Sequence, residues 1–358
     1  MARILQVTAS TDRRGAEVFA HQLGNRLGAG GHEVHTVAVA VGRGGDRLPF
    51  PVLGPGPRAP RTVAALTRAA AGAGVVVVHG SSGLWPTLVA CTVARRPFVY
   101  RSIGDPAFWG RRRWARTRTG WALRRAARVV ALSEGLRDAL VAQYRLDPAR
   151  VVVSPNAVDV DRFPAANDAD RLAARRRLGL DPASPLLGYL GALSPEKRPE
   201  WAVRAVAGLP GARLVMAGAG PSEEAVRGLA GRVAPGRVAL LAPLEDPWPL
   251  LAAVDVLLVP SRTEGMPGVV IEAGLVGRPV VATAVGAVPE MIGVVAGGAA
   301  VDPDDLDGFV AAVARVLDGG GAPGPDRAAV AAAHGIGAVA PAWSALLDAV
   351  GAPDLRGR

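Results

Sequence analysis

Two glutamates, Glu264 and Glu272, bracket a turn that could hold a phosphate. The stretch runs Val259-Pro-Ser-Arg-Thr-Glu-Gly-Met-Pro-Gly-Val-Val-Ile-Glu-Ala273. Its apolar lead, Val256 to Val259, reads as a strand that Pro260 ends. A helix then resumes with Pro267 at its first position, where a missing N–H costs nothing. The main-chain N–H groups of Met266, Gly268 and Val269 would point out of that helix start, where the dipole favours an anion. Gly265 and Gly268 have no side chain to hold a phosphate off the backbone. Carboxylates accept paired hydrogen bonds from diols, so the two glutamates suit a sugar on one side of the phosphate and a ribose on the other.

These residues need a scaffold, and the pattern around them supplies one. In the second half, strands are expected at Leu186 to Leu190, Arg213 to Ala217, Val238 to Leu241, Val256 to Val259, Val280 to Thr283 and Ala299 to Val301, alternating with helices. That rhythm argues a doubly wound α/β domain. The first half opens β–loop–α–β, with strand Ile4 to Thr8, a polar loop to Arg14, a helix from Gly15 and a strand Val34 to Val39. Val75 to His79, Phe98 to Tyr100, Val129 to Leu132 and a strand from Val151 continue it, in the Rossmann-like manner. Ligands of open α/β sheets gather at the strand C-terminal ends, which makes His79, Arg101 and Asp105 candidates for the acceptor side.

With 358 residues, half of them apolar, the chain suits two domains rather than one core. The expected division is 1–165, 166–335 and a terminal helical segment 336–358. No run is long and apolar enough to span a membrane, and Met-Ala-Arg leads straight into a strand, with no room for a signal peptide. Cys91 is the only cysteine and reads as a small core residue. The expectation is a cytoplasmic protein. Formal charge is +10, carried almost wholly by arginine, with Lys197 the only lysine. No nucleic-acid motif accompanies it. Residues 109–128 concentrate the surplus around Trp109, Trp114 and Trp121. A basic helix of that kind either packs its tryptophans on the sheet or lies in a membrane interface, here at the inner membrane face.

Glu264-Gly-Met-Pro-Gly-Val-Val-Ile-Glu272, with the following Ala273-Gly-Leu-Val-Gly-Arg-Pro-Val-Val-Ala-Thr, resembles the signature of the retaining glycosyltransferases of family four. The resemblance implies a GT-B fold, two Rossmann-like doubly wound domains facing a central cleft. It also implies transfer of a hexose from a nucleoside diphosphate sugar. Glu264 would contact donor-sugar hydroxyls, Glu272 the ribose, and the intervening amides the diphosphate. Gly191-Ala-Leu-Ser-Pro-Glu-Lys197-Arg198 matches a family segment whose lysine holds the diphosphate. Ala192 stands where the family has an arginine, so Arg198 or Arg14 would supply that charge. Gly15 would approach the donor phosphate, Gly218 would border the nucleobase, and Asn156, in Pro-Asn-Ala-Val-Asp, would border the cleft. The family's loop histidine is absent from Arg101-Ser-Ile-Gly-Asp105.

By the same likeness no metal or cofactor is needed. Uridine donors are favoured, with GDP-mannose as the other candidate, and the acceptor is a glycan, lipid or small-molecule hydroxyl. Two other functions remain open: a nucleotide-sugar 2-epimerase, and a non-catalytic sugar-nucleotide-binding partner protein.

Overall fold

The structure, a computed structural model, describes residues 1–42, 47–109, 113–324 and 326–352. The chain forms two compact units. One is Met1–Ala157 together with the segment from Ile336, and the other is Val158–Gly335.

The first unit is a six-stranded parallel sheet of β1 (Arg3–Thr8), β2 (Glu33–Ala38), β3 (Val75–His79), β4 (Phe98–Arg101), β5 (Arg128–Ala131) and β6 (Val151–Val153), in the order β2-β1-β3-β4-β5-β6. Strand alternation sends side chains to two cores. Leu5, Val7, Val76 and Val78 meet the helices Pro60–Ala71 and Leu84–Ala94 on one face. Ile4, Val75, Val77 and Val99 meet Phe19, Leu23 and Leu27 of the helix Gly15–Ala29 on the other. The helix Ile336–Gly351 completes that second face with Ile336, Trp343 and Leu347. His32 fastens it, with Nε2 2.7 Å from Ser344 Oγ.

The second unit repeats the plan. Strands β7 (Leu186–Leu190), β8 (Arg213–Ala217), β9 (Val238–Leu241), β10 (Val256–Val259), β11 (Val280–Thr283) and β12 (Gly298–Val301) lie parallel in the order β12-β11-β10-β7-β8-β9. The order reverses between β7 and β10, so the onward connections of these two strands go to opposite faces and the loops at their C-terminal ends flank the switch point. In the first unit the corresponding point lies between β1 and β3.

Candidate active site

The β7 and β10 loops carry the residues singled out above. After β10 the chain turns through Pro260 to Pro267 and enters the helix Gly268–Val276. Pro267 is the N-cap, with extended ψ of 121°, and not the first helical residue as its type suggested. Proline's fixed φ suits the cap as well as the first turn, so the helix begins one residue later, at Gly268. Gly286, at φ +57°, lies against this turn so closely that a Cβ there would stand 2.1 Å from the Glu264 carbonyl oxygen. Ala287 N–H also donates to Gly265 O at 2.8 Å.

The β7 loop is stitched to the same place. Leu193 N–H donates to Ala219 O, Tyr189 O–H to Ala192 O, and Arg262 N–H to Glu196 O. Gly218, at φ +153°, lets the β8 loop touch this backbone, since a Cβ would stand 1.9 Å from Gly191 O. Its role in the geometry is this close approach.

Lys197 and Glu264 meet where the loops converge. Lys197 Nζ is 2.7 Å from both Glu264 carboxylate oxygens. Ser261 Oγ donates to Glu264 Oε1 at 2.6 Å. The Glu264 side chain is 9% exposed and the Lys197 side chain 32%. A buried carboxylate is thus neutralised by a cation that solvent still reaches. Ser261 escaped the sequence reading, although Ser-x-x-Glu spacing is a visible local signal.

Glu272 is half-buried, and among the described residues its carboxylate shows no side-chain hydrogen bond. Burial raises its pKa to about 7, with the Arg162 charge opposing. Arg162 in turn donates to Glu245 O at 2.7 Å, in the turn after β9. No local pattern announces Arg162, because its partner lies far along the chain.

Arg198 does not join this group through its side chain. It takes the left-handed conformation, φ 49° and ψ 49°, as N-cap of the helix Pro199–Ala207. That conformation costs a non-glycine residue about 1–2 kcal/mol. Its guanidinium donates to Pro303 O at 2.5 Å and lies 4.3 Å from the Trp201 ring centroid.

In the first unit, the structure gathers three of the four acceptor-side candidates. Arg101, 2% exposed, donates to Asn156 Oδ1 at 2.9 Å and stacks 3.6 Å over Phe19. His79, 1% exposed, pairs through Nε2 with Gln6 Oε1 at 2.9 Å. The Gln6 amide nitrogen donates elsewhere, so Nε2 carries the proton, and Nδ1 has no partner among the described residues. Burial, then the Arg101 charge, holds the His79 pKa well below its ordinary value. Burial also lowers Arg101 to about 9, against the pull of Glu17. Glu17 itself is pushed up to about 7 by burial. Asp105 is half-buried and its charge acts on Tyr144. Arg14 and Gly15 are exposed at the start of the helix Gly15–Ala29, with open space beside Gly15.

The basic segment does not bury Trp114 or Trp121 in the sheet, and the Trp109 side chain lies outside the described residues. On the helix Arg113–Leu123, Trp114 is 61% and Trp121 43% exposed. Arg118 lies between the Trp85 and Trp114 rings, and Trp121 stacks on Trp85 at 5.9 Å. Val89 and Val93 of the neighbouring helix are exposed beside them. Arg111 and Arg112 lie outside the described residues. The first unit holds more than twice as many arginines as acids, whereas the second holds more acids than bases. No helix among the described residues is long and apolar enough to cross a membrane. Nor, among the described residues, do three His, Cys, Asp or Glu cluster as metal ligands.

Comparison with known proteins bears on both halves. The family described as Glycosyltransferase Family 4 matches residues 13–162, and Glycosyl transferases group 1 matches residues 184–319. The D-inositol 3-phosphate glycosyltransferase of Mycobacterium marinum is 34% identical over 235 residues, covering 63% of this chain and 49% of that protein. That of Mycobacterium sp. strain KMS is 36% identical over 204 residues, covering 54% of this chain and 46% of its own. The chain thus spans about half the length of these curated relatives. Among solved structures, Anabaena HepE in complex with UDP and glucose superposes with a TM-score of 0.82 at 19% identity, covering 97% of this chain and all of that one. WaaG, a glycosyltransferase involved in lipopolysaccharide biosynthesis, superposes at 0.74 and 17% identity, covering 96% and 99% of the two chains.

Proposed function

Because the chain belongs to the group 1, family-four glycosyltransferases and has their GT-B fold of two doubly wound α/β sheets, we propose that it transfers a hexose from a nucleoside diphosphate sugar to an acceptor hydroxyl with retention. The observation that carries this reading is the Lys197–Glu264 pair at the switch point of the second sheet, beside the start of the helix Gly268–Val276. A diphosphate seated at the Met266, Gly268 and Val269 amides meets the positive end of that helix. The Lys197 ammonium, a compact charge on a flexible stem, then stabilises the leaving phosphate as the glycosyl bond breaks. Glu264 orients the sugar. Glu272, with its carboxylate uncommitted to other side chains among the described residues, accepts from the ribose diol.

In the retaining step the bond from C1 to the phosphate oxygen breaks while the acceptor oxygen bonds C1 on the same face. The acceptor proton passes to the departing phosphate oxygen, so no separate base is required. Positive charge comes from Lys197 and the helix amides, which makes the reaction independent of a metal. UDP-sugars are the favoured donors and GDP-mannose the other candidate. The exposed tryptophans and valines among arginines support docking of the first unit on an anionic membrane surface, on the cytoplasmic side.

The test is a thermal-shift panel of UDP, GDP and their sugars, since a ligand of the native state raises the melting point by mass action. Consumption of the stabilising donor then follows, with and without inositol phosphates, lipids and glycans as acceptors. A transferred sugar of unchanged anomeric configuration supports the proposal. An isomerised sugar nucleotide would make the protein an epimerase, and binding without turnover a partner protein.

A further inference from the structure

Arg198 presents an unexplained combination. It adopts a left-handed backbone that side chains rarely take, it is 3% exposed, and it directly follows the one lysine of the chain. Arg95 and Arg145, the other non-glycine residues at positive φ among the described residues, are helix C-caps, where that conformation is common. Arg198 is an N-cap, where it is not. Its side chain is held from two sides, by the Pro303 carbonyl and by the face of Trp201. Trp201 is itself anchored edge-on against the core residue Phe309, 5.7 Å between centroids. The main chain is tied as well. Lys197 N–H and Arg198 N–H both donate to Ser194 O, and Trp201 N–H donates to Arg198 O. Strain of this kind persists only where the surroundings over-determine it, and it collects at functional sites.

We propose that Arg198 is a positioning residue, whose pinned left-handed backbone aims the Lys197 ammonium at Glu264, and that its guanidinium does not touch the donor. The helix Pro199–Ala207 must begin at Pro199, which constrains the residue before it away from the right-handed region. With residue 198 left-handed, the chain reverses tightly between Lys197 and that helix, and the lysine side chain points toward the β10 turn. Were residue 198 to relax to an extended conformation, the direction of Lys197 would change with it. The proposal rests on the donor-site reading above for its catalytic consequence, but its structural half needs no donor.

The experiment compares Arg198→Gly with Arg198→Val in the full chain. Both remove the guanidinium. Glycine enters the left-handed region freely, and β-branched valine resists it. Two quantities are read: turnover of UDP-glucose or GDP-mannose, whichever the wild type consumes, and the Lys197–Glu264 coupling. The coupling comes from double-mutant cycles of Lys197→Met and Glu264→Gln on urea unfolding in each background.

The expected result is a loss of about thirtyfold or more in turnover for Arg198→Val, with Arg198→Gly within about fivefold of wild type. The coupling should survive in the glycine variant and vanish in the valine variant. Equal loss of turnover in both variants with coupling intact would assign the guanidinium to the donor and overturn the proposal. Wild-type values in the valine variant would overturn it as well. If valine prevents folding, the glycine variant decides alone, since lost coupling there refutes the backbone role. If the wild type consumes neither donor, these two donors are excluded from the proposed function, while the cycles still judge Arg198.

Discussion

Lys197 Nζ sits 2.7 Å from each carboxylate oxygen of Glu264, although 67 positions separate the two residues. They meet because β7 and β10 are neighbours in the sheet and the loops above their C-terminal ends touch at the switch point. The pair sets the lysine on the carboxylate proposed to hold the sugar, two to five residues before the amides proposed to hold the diphosphate.

Replacing either partner should therefore be costly. Lys197→Ala and Glu264→Ala are each expected to lower turnover at least about a hundredfold, as for loss of one preorganised donor. The double variant should cost far less than the product of the two, because the residues act as a unit. Steady-state kinetics with the stabilising donor checks this, and wild-type turnover in either single variant would contradict it.

Glu272, with a pKa of about 7, should make nucleotide binding pH-dependent. Its ionised form is the better acceptor for a diol, so affinity for UDP or GDP should rise as pH increases from about 6 to 8. Glu272→Gln should flatten that profile. Calorimetric titration at several pH values measures both.

Glu17 bears on stability. Its folded pKa, about 7, lies above the ordinary 4.5, so the native state keeps a proton that the unfolded chain releases. Its contribution is full below pH 4.5 and is lost as pH rises through about 7. Glu17→Gln keeps an acceptor without the charge. It should stabilise the protein by about 1–3 kcal/mol at pH 8 and change little at pH 4.5. Urea unfolding at the two pH values decides it.

Gly286→Ala probes the turn that carries Glu264. A Cβ at φ +57° would strike the Glu264 carbonyl, and the turn must move to admit it. A loss of about 2–3 kcal/mol is expected, together with a weaker thermal shift by nucleotide. An unchanged melting point would mean that the turn is free to move.

The arginine-rich face predicts vesicle binding. The protein should float with liposomes containing phosphatidylglycerol and not with pure phosphatidylcholine, and high salt should release it. Val89→Glu with Val93→Glu should reduce the bound fraction about tenfold, the acids repelling the lipid and replacing exposed apolar contact. Equal flotation of wild type and variant would remove this face from consideration.

Much of the protein was legible in its sequence because the signals are local. Unbroken valine runs such as Val75 to Val78 announce buried parallel strands, and Gly-Met-Pro-Gly marks a strand-to-helix turn from residue types alone. Residue types and spacing marked Glu264 and Glu272 as residues to watch, and the family resemblance added Lys197. Tertiary structure decided what depends on distant chain. Strand order brings Lys197 onto Glu264, and Gly286 arrives from beyond β11 to press on the turn. Burial pulls Arg101 and His79 into a sealed polar cluster, and it turns Trp114 and Trp121 outward instead of inward. A sequence reports the propensity of each residue and its near neighbours. Burial, pKa and pairing are properties of the space around a side chain, and that space is filled by residues the local pattern does not contain.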